Sequence, residues 1–123
     1  MWLTPLDRSP VAKYEKTFEG DLDPFVVAVD ASIIDASATA NLVDSSDVMV
    51  GATQVAVRVY ERYSAFGGSR VSLNLTAAAC DGWVFVSAIT SGGSQGMLLK
   101  INTVSEDSFL QSAVDAIEAA VGS

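Results

Sequence analysis

The stretch RVSLNLTAAACDGWVFVSAIT, residues 70–90, decides the fold. Apolar and polar side chains alternate along residues 70–77, and a second β-rich run extends from Trp83 to Thr90. This period of two is typical of strands with one buried face. Asp81-Gly82 between the runs is typical of a type I′ turn, because both residues accept a positive φ. The sequence therefore predicts an antiparallel hairpin.

A two-residue turn also fixes which side chains share a face of this hairpin. It pairs Cys80 with Trp83, and the other pairs follow because successive side chains of a strand point to opposite faces. The predicted core face comprises Leu73, Leu75, Ala77, Val84, Val86 and Ala88. The predicted open face comprises Asn74, Thr76, Trp83, Phe85, Ser87 and Ile89.

Outward from the hairpin, the pattern predicts more strands and a helix near each end of the chain. Asp23-Pro24 is typical of a helix start, and apolar residues at helical spacing extend this helix to about residue 35. A capping-box spacing at 103–106 predicts the start of the closing helix. Further strands are predicted at residues 13–18, 37–43, 48–63 and 97–102, with a turn at 44–47 and loops at 64–69 and 91–96.

These elements predict an α+β domain in which two helices cover one face of an antiparallel sheet of about five or six strands. Both helices need an apolar surface to cover, and one sheet face supplies it. The order of elements resembles the helix-grip and TATA-binding-protein-like architectures. Residues 1–11 carry two prolines and no periodicity, so we interpret them as a tail and residues 12–123 as a single domain.

The number of residues in the loop around Gly67-Gly68 decides which side chains of the preceding strand lie on the core face. If this loop contains an odd number of residues, Val57 and Val59 join the core face. The open face then gains Arg58, Tyr60, Arg62, Arg70 and Ser72. Such a face, with Trp83 and Phe85 beside the arginines, has three interpretations: a solvated surface, a homo-oligomer interface, or a site for an anionic or aromatic ligand.

Two other segments are candidate sites. Val27 and Ile34 form a second apolar stripe on the first helix, away from its main apolar face, and are candidates for an interface. A glycine-rich run is either a connecting loop or an anion-binding loop that uses its backbone N–H groups. This run comprises Ser91, Gly92, Gly93, Ser94 and Gln95.

Composition excludes several classes of function. The 123-residue chain has 15 acidic and 7 basic residues, and its net charge of −8 opposes binding to nucleic acid and to anionic membranes. The absence of histidine excludes Ser-His-Asp and Cys-His catalysis within one chain and every histidine-based metal site. Cys80 is the only cysteine, so no intramolecular disulfide forms. No apolar run approaches the roughly 20 residues of a membrane span, and we expect a cytoplasmic protein without metal or cofactor.

Five stretches carry a resemblance to a known family: AKYEKTFEGDLD (12–23), VAVRVYERYS (55–64), GGSRVSLN (67–74), VSAITSGGSQ (86–95) and KINT (100–103). They resemble a bacterial family of proteins of unknown function, domain-of-unknown-function family 6054, over nearly the whole domain. The resemblance implies a stand-alone bacterial domain, and it implies no particular activity, cofactor or catalytic residue.

The sequence favours a non-enzymatic binding or interaction domain that self-associates, with a dimer as the favoured assembly. The alternative is a domain, or an enzyme, that binds a small or anionic ligand. That ligand would occupy a cavity between the first helix and the sheet, or the arginine and aromatic face. Nucleic-acid binding through this face ranks third, because the net charge opposes it although arginines beside aromatic rings suit single strands.

Overall fold

The computed structural model describes residues 11–63, 70–92 and 99–122, with the side chains of Val11 and of residues 99–108 outside that description. Its elements are β1 (Val11–Glu19), α1 (Leu22–Asp35), β2 (Asn41–Val50), β3 (Thr53–Tyr63), β4 (Arg70–Cys80), β5 (Trp83–Gly92) and α2 (Leu99–Gly122). The strands form one antiparallel sheet in the order β1-β5-β4-β3-β2. The first strand therefore lies beside the last one, and β2 forms the opposite edge.

Both helices pack on the same face of this sheet, which confirms the predicted α+β class. The buried side of α1 is the predicted one, and α2 adds Phe109, Ala113 and Ile117 to the same core. Helix α2 contacts β1, β4 and β5, and α1 packs against α2. The strand residues of the core are Ala56, Tyr60, Val71, Leu73, Leu75, Ala77, Val84, Val86 and Ala88. We call this side of the sheet the covered face.

The central hairpin forms as predicted. Cys80 pairs with Trp83, and this register continues along β4 and β5. Asp81 has a φ of 54° and Gly82 a φ of 80°, the two positive values that a type I′ turn requires. All six residues of the predicted core face are buried. The hairpin is therefore fixed by local sequence.

The predicted turn at residues 44–47 is wrong. These residues lie inside β2, and the chain reverses instead at Gly51, which has a φ of 60°. A β-bulge between Leu42 and Asp44 shifts the pairing with β3 by one residue. Every residue of β2 is exposed, so this edge strand accepts the polar residues that elsewhere signal a turn.

The predicted strands at 37–43 and 97–102 are also wrong in part. Residues 37–40 form a turn before β2, in which the Ala40 N–H donates to the Ser37 carbonyl over 3.3 Å. Residues 99–102 belong to α2, while residues 97 and 98 lie outside the described residues. A short apolar run does not distinguish helix from strand by its periodicity. The predicted capping box at 103–106 consequently falls inside the helix.

The start of α1 differs by two residues from the predicted one. The helix begins at Leu22 with Asp21 as N-cap, and Pro24 occupies its first turn, where a missing N–H costs no hydrogen bond. Asp23 does not cap the helix, because its carboxylate accepts a 2.7 Å hydrogen bond from the Gln54 side chain of β3. A tertiary contact therefore replaces the predicted local one.

Neither helix within the described ranges is long and apolar enough to cross a membrane.

Candidate functional site

The face of the sheet opposite the two helices is the candidate site, and we call it the open face. Directly paired residues of antiparallel strands share a face, so the registers place its side chains in rows across the strands. One row crosses all five strands through Thr17, Phe85, Ala78, Val55 and Val48. Phe85 and Val48 in this row are 39% and 51% exposed. This row is therefore apolar apart from Thr17, and it is in contact with solvent.

On one side of this row lies a row that is polar except at Val57, with Glu15, Ser87, Thr76 and Ser46, and the rows beyond carry further apolar side chains. Towards one end, Trp83 and Val50 stand at 50% and 65% exposure. Towards the other end, Ile89 and Val59 occupy one row, which ends in Lys13 on β1 and Asp44 on β2. The apolar members of the open face are Val48, Val50, Val55, Val57, Val59, Ala78, Trp83, Phe85 and Ile89.

The polar side chains of the open face bond to one another. Ser87 donates its hydroxyl to Glu15 over 3.1 Å, and Thr76 donates to Asn74 over 2.8 Å. At the end of the sheet, Arg70 pairs with Glu61 at 2.8 Å. Polar groups that already have partners lose less free energy when a surface leaves water. These bonds therefore make the face easier to bury.

A shallow depression of about 120 Å³ lies between β2 and β3 on this side. It is lined by Asp44, Ser45, Ser46, Val57 and Val59. The two valines form its apolar wall, and the short serines leave the space above them open. The open face is therefore uneven as well as apolar. The large side chains of β5 project from it, and the depression lies between β2 and β3.

Three of the predicted site residues lie on the covered face, which corrects the sequence interpretation. Arg58 pairs with Leu75, Tyr60 with Leu73 and Arg62 with Val71. The reason is the register of β3 and β4. Six residues separate the paired Tyr63 and Arg70, an even number, whereas the prediction assumes an odd one. Val57 and Val59 consequently belong to the open face, and no combined face of arginines and aromatics exists among the described residues.

On the covered face, Tyr60 and Arg58 connect β3 to its neighbours. Tyr60 is fully buried and donates its hydroxyl to Asp30 of α1 over 2.7 Å. Burial, reinforced by this hydrogen bond, raises the pKa of Tyr60 well above its ordinary value. Arg58 lies 3.0 Å from Asp47 of β2 and donates to the Val57 carbonyl. These contacts give both residues a structural role.

Arg62 connects β3 to α2. Its guanidinium carbon lies 4.6 Å from the centre of the Phe109 ring, a cation–π distance. Burial lowers the pKa of Arg62. Because the ring of Phe109 is itself buried, this contact positions α2 against the end of the sheet rather than presenting a charge to a ligand on the open face.

The other predicted residues divide between the two sides of the molecule. Trp83 and Phe85 lie on the open face as predicted, and Arg70 stands at its end. Val27 is 69% exposed, but Ile34 packs against the core, so the two do not form one exposed stripe. Of the glycine-rich run, Ser91 and Gly92 belong to β5. Gly93, Ser94 and Gln95 lie outside the described residues.

Sequence reasoning misses the valines of the open face. Val55, Val57 and Val59 alternate clearly in the sequence, so the signal is present. The sequence interpretation assigns these valines to the covered face because it assumes an odd number of residues between Tyr63 and Arg70, whereas the number is six. The pattern places Val48 and Val50 in a strand but gives them no face. Because of these five residues, valines lie beside Trp83 and Phe85 where the sequence interpretation expects arginines and Tyr60.

Small cavities occur elsewhere in the molecule. One of about 280 Å³ lies between α1, β1 and the end of α2, where Phe18 and Phe25 stack with their ring centres 4.8 Å apart. A polar one of about 210 Å³ is lined by Thr39, Asn41, Glu61, Arg62, Tyr63 and Arg70. Both lie below the range of roughly 300–1,000 Å³ that is usual for ligand pockets. Within the described residues, no group of three or more cysteine, aspartate or glutamate side chains is placed to hold a metal ion.

Comparison with known proteins gives a family and a shared fold. Residues 11–121 match the family model of DUF6054, a family of unknown function. The crystal structure of the hypothetical protein jhp0584 from Helicobacter pylori is similar, with a TM-score of 0.54, 11% identity, and coverage of 98% of this chain and 99% of that one. TTHA0849 from Thermus thermophilus is similar at a TM-score of 0.32 and 8% identity, over 90% of this chain and 99% of that one. No curated protein matches the sequence.

Proposed function

We propose that this chain, which belongs to the DUF6054 family of unknown function, is a non-enzymatic interaction domain whose open face binds the open face of a second copy. The observation that carries the proposal is the set of exposed apolar side chains opposite the helices, which is continuous along β3 and interrupted on β4 and β5 by Thr76 and Ser87. Monomeric proteins rarely expose contiguous apolar patches beyond a few hundred Å².

The size of the open face suits a stable dimer. Its five strands contain 9, 10, 11, 11 and 10 residues. At about 4.8 Å between strands and about 3.3 Å per residue, they span roughly 24 by 33 Å, or roughly 800 Å². Stable interfaces bury about 800 Å² on each partner. One pair of open faces therefore supplies the area that a specific dimer needs.

A second copy suits the open face better than an unrelated partner. The face carries both signs of charge at its rim, with Lys13 and Arg70 among acidic residues. It carries two large rings, Trp83 towards one end and Phe85 nearer the middle, beside the valines of β2 and β3. Large aromatic side chains are the groups that contribute most to interfaces when they become desolvated. Aligned packing of two such sheets about 10 Å apart is an established arrangement.

Sedimentation velocity of the purified chain at several concentrations tests the proposal. We expect the wild type to be a dimer and Trp83→Asp and Phe85→Asp to be folded monomers, because each places a carboxylate among the apolar side chains of the open face. Val27→Asp is the matched control, since it changes an exposed valine of α1 on the other side of the molecule. A wild type that stays monomeric at high concentration, or variants that dimerise like the wild type, would overturn the proposal.

A second candidate function is the binding of a small anion at the end of β3. The polar cavity of about 210 Å³ brings together Arg62, Tyr63 and Arg70, and arginine forks suit carboxylate and phosphate groups. Native mass spectrometry of the freshly purified protein tests it together with the first proposal. A monomer that carries a bound anion would favour this candidate, and a dimer without a ligand would favour self-association.

A further inference from the structure

The open face has a geometry that distinguishes between the possible two-fold dimers, an inference that rests on the proposed function. A dimer of identical faces is isologous, with a two-fold axis in the plane of the interface. When the strands of the two sheets are aligned, that axis runs close to the strand direction or close to the perpendicular. The two orientations place different rows of the open face opposite each other, and the registers of the sheet show which rows match.

A two-fold rotation about an axis parallel to the central strand β4 places each row of one copy over the same row of the second copy, with the order of the strands reversed. Strand β5 then lies over β3 of the second copy, and β1 lies over β2. In the row of Ile89, that side chain stands over Val59 of the second copy. In the next apolar row, Phe85 stands over Val55. Large side chains on β5 therefore meet the smaller valines of β3.

The shape of the face favours this orientation. The depression of about 120 Å³ lies beside Val57 and Val59, in the rows that the Ile89 side chain of the other copy would reach. With an axis across the strands, β5 lies over β5, and Ile89 meets Phe85. That arrangement opposes two large side chains and leaves the depression empty. Packed interfaces fill such space because unfilled voids lose dispersion contacts.

The charges favour the same orientation. Lys13 and Asp44 stand at opposite ends of one row, so an axis along β4 places Lys13 of each copy over Asp44 of the other. An axis across the strands instead places Lys13 over Thr17 and Asp44 over Val48, which leaves both charges without a counter-ion across the interface.

We infer that two copies of this chain pack face to face about an axis parallel to β4, with Ile89 of each copy over Val57 and Val59 of the other and Lys13 paired with Asp44. The two copies of β4 then lie over each other with their small side chains at the axis. Cys80 is the last residue of β4 and is exposed. Its two copies therefore stand on the same end of the dimer, separated by about the 10 Å spacing of packed sheets.

Cross-linking of the unmodified protein tests the direction of the axis. A bis-maleimide that spans about 10 Å, the sheet spacing, should join the two Cys80 thiols into a covalent dimer, and Cys80→Ser should give none. If the axis ran across the strands through Thr76, the two thiols would be eight residues apart along the strand, or about 26 Å. The reagent would then produce no covalent dimer.

Charge exchange gives an independent readout. Lys13→Glu and Asp44→Lys should each raise the dimer dissociation constant by about tenfold, because each creates two like-charge contacts per dimer. The double variant should return to within about twofold of the wild type. Both residues lie at the rim of the sheet and contribute no side chain to the core, so the variants should fold.

The outcomes separate this inference from the proposed function. Covalent dimers through Cys80 together with the rescue by the double variant support the axis along β4. A protein that sediments as a dimer but gives no cross-link, or whose double variant is as weak as the single ones, overturns the axis and leaves self-association in place. A monomeric wild type overturns both.

Discussion

The covered face of the sheet is apolar at its centre, whereas the open face combines apolar side chains with polar ones such as Ser87 and Thr76, and the two faces have opposite environments. On the covered face, Leu73, Leu75 and Val86 have almost no exposed surface. On the open face, Trp83 and Phe85 remain 50% and 39% exposed, beside rows of valines. Residue type alone therefore does not decide which side of a sheet becomes the core. The side on which the two helices pack decides it, and the other apolar side remains available for a partner.

The largest expected effect is on the covered face. Leu75→Ala removes a side chain that is 1% exposed and should lower the free energy of unfolding by about 2–5 kcal/mol, because a cavity remains in the core. Asn74→Ala, its neighbour on the open face, should cost much less. Urea unfolding of both variants measures the difference. Equal losses would show that the monomer buries both faces alike.

A smaller effect is expected where the covered face meets α1. Tyr60→Phe removes the buried hydroxyl that bonds to Asp30 at 2.7 Å and leaves that acceptor without its partner, at a cost of about 1–3 kcal/mol. Tyr63→Phe is the control, because Tyr63 is 53% exposed. Urea unfolding at neutral pH compares the two variants, and a similar loss in both would argue against a structural role for the Tyr60 hydroxyl.

The same tyrosine gives a pH dependence with a defined sign. Because burial raises its pKa, folded Tyr60 keeps its proton at pH values where the unfolded side chain, with a pKa of about 10, has lost it. Its contribution to stability is therefore complete below pH of about 10 and is lost as the pH rises further. Unfolding free energies measured from pH 9 to about 11.5 should fall more steeply for the wild type than for Tyr60→Phe. Parallel curves would show that Tyr60 is not shielded from water.

The smallest expected effect concerns the N-terminal segment. Deleting residues 1–10 should change the melting temperature by no more than a few degrees, because the segment shows no amphipathic pattern and precedes the family match at residues 11–121. Thermal unfolding of the shortened chain measures this directly. A large loss of stability would mean that the segment covers one of the two faces, and the contrast between them would need revision.

The candidate site is predictable from the sequence only in part, and the failure has one physical cause. The places of Trp83 and Phe85 follow from a turn of two residues, which leaves no freedom in the register. The places of Arg58, Tyr60 and Arg62 depend on a loop of six residues between Tyr63 and Arg70. A change of one in the number of connecting residues moves every side chain of the strand to the other face, so Tyr60 lies in the core, Arg62 packs on α2 and Arg58 pairs with β2.

The sequence by itself determined the hairpin of residues 70–90, the buried side of α1 and the α+β class, because each depends on contacts between residues close in the chain. Only the tertiary structure decided the pairing of β1 with β5, the face of β3 and the helical state of residues 99–102. The pairing of β1 with β5 joins residues more than 60 positions apart, and short-range periodicity holds no information about it. Residues 99–102, Leu-Lys-Ile-Asn, alternate apolar and polar side chains over only four positions, which suits a strand without excluding a helix. The structure makes them the first turn of α2 beside a sheet of five strands.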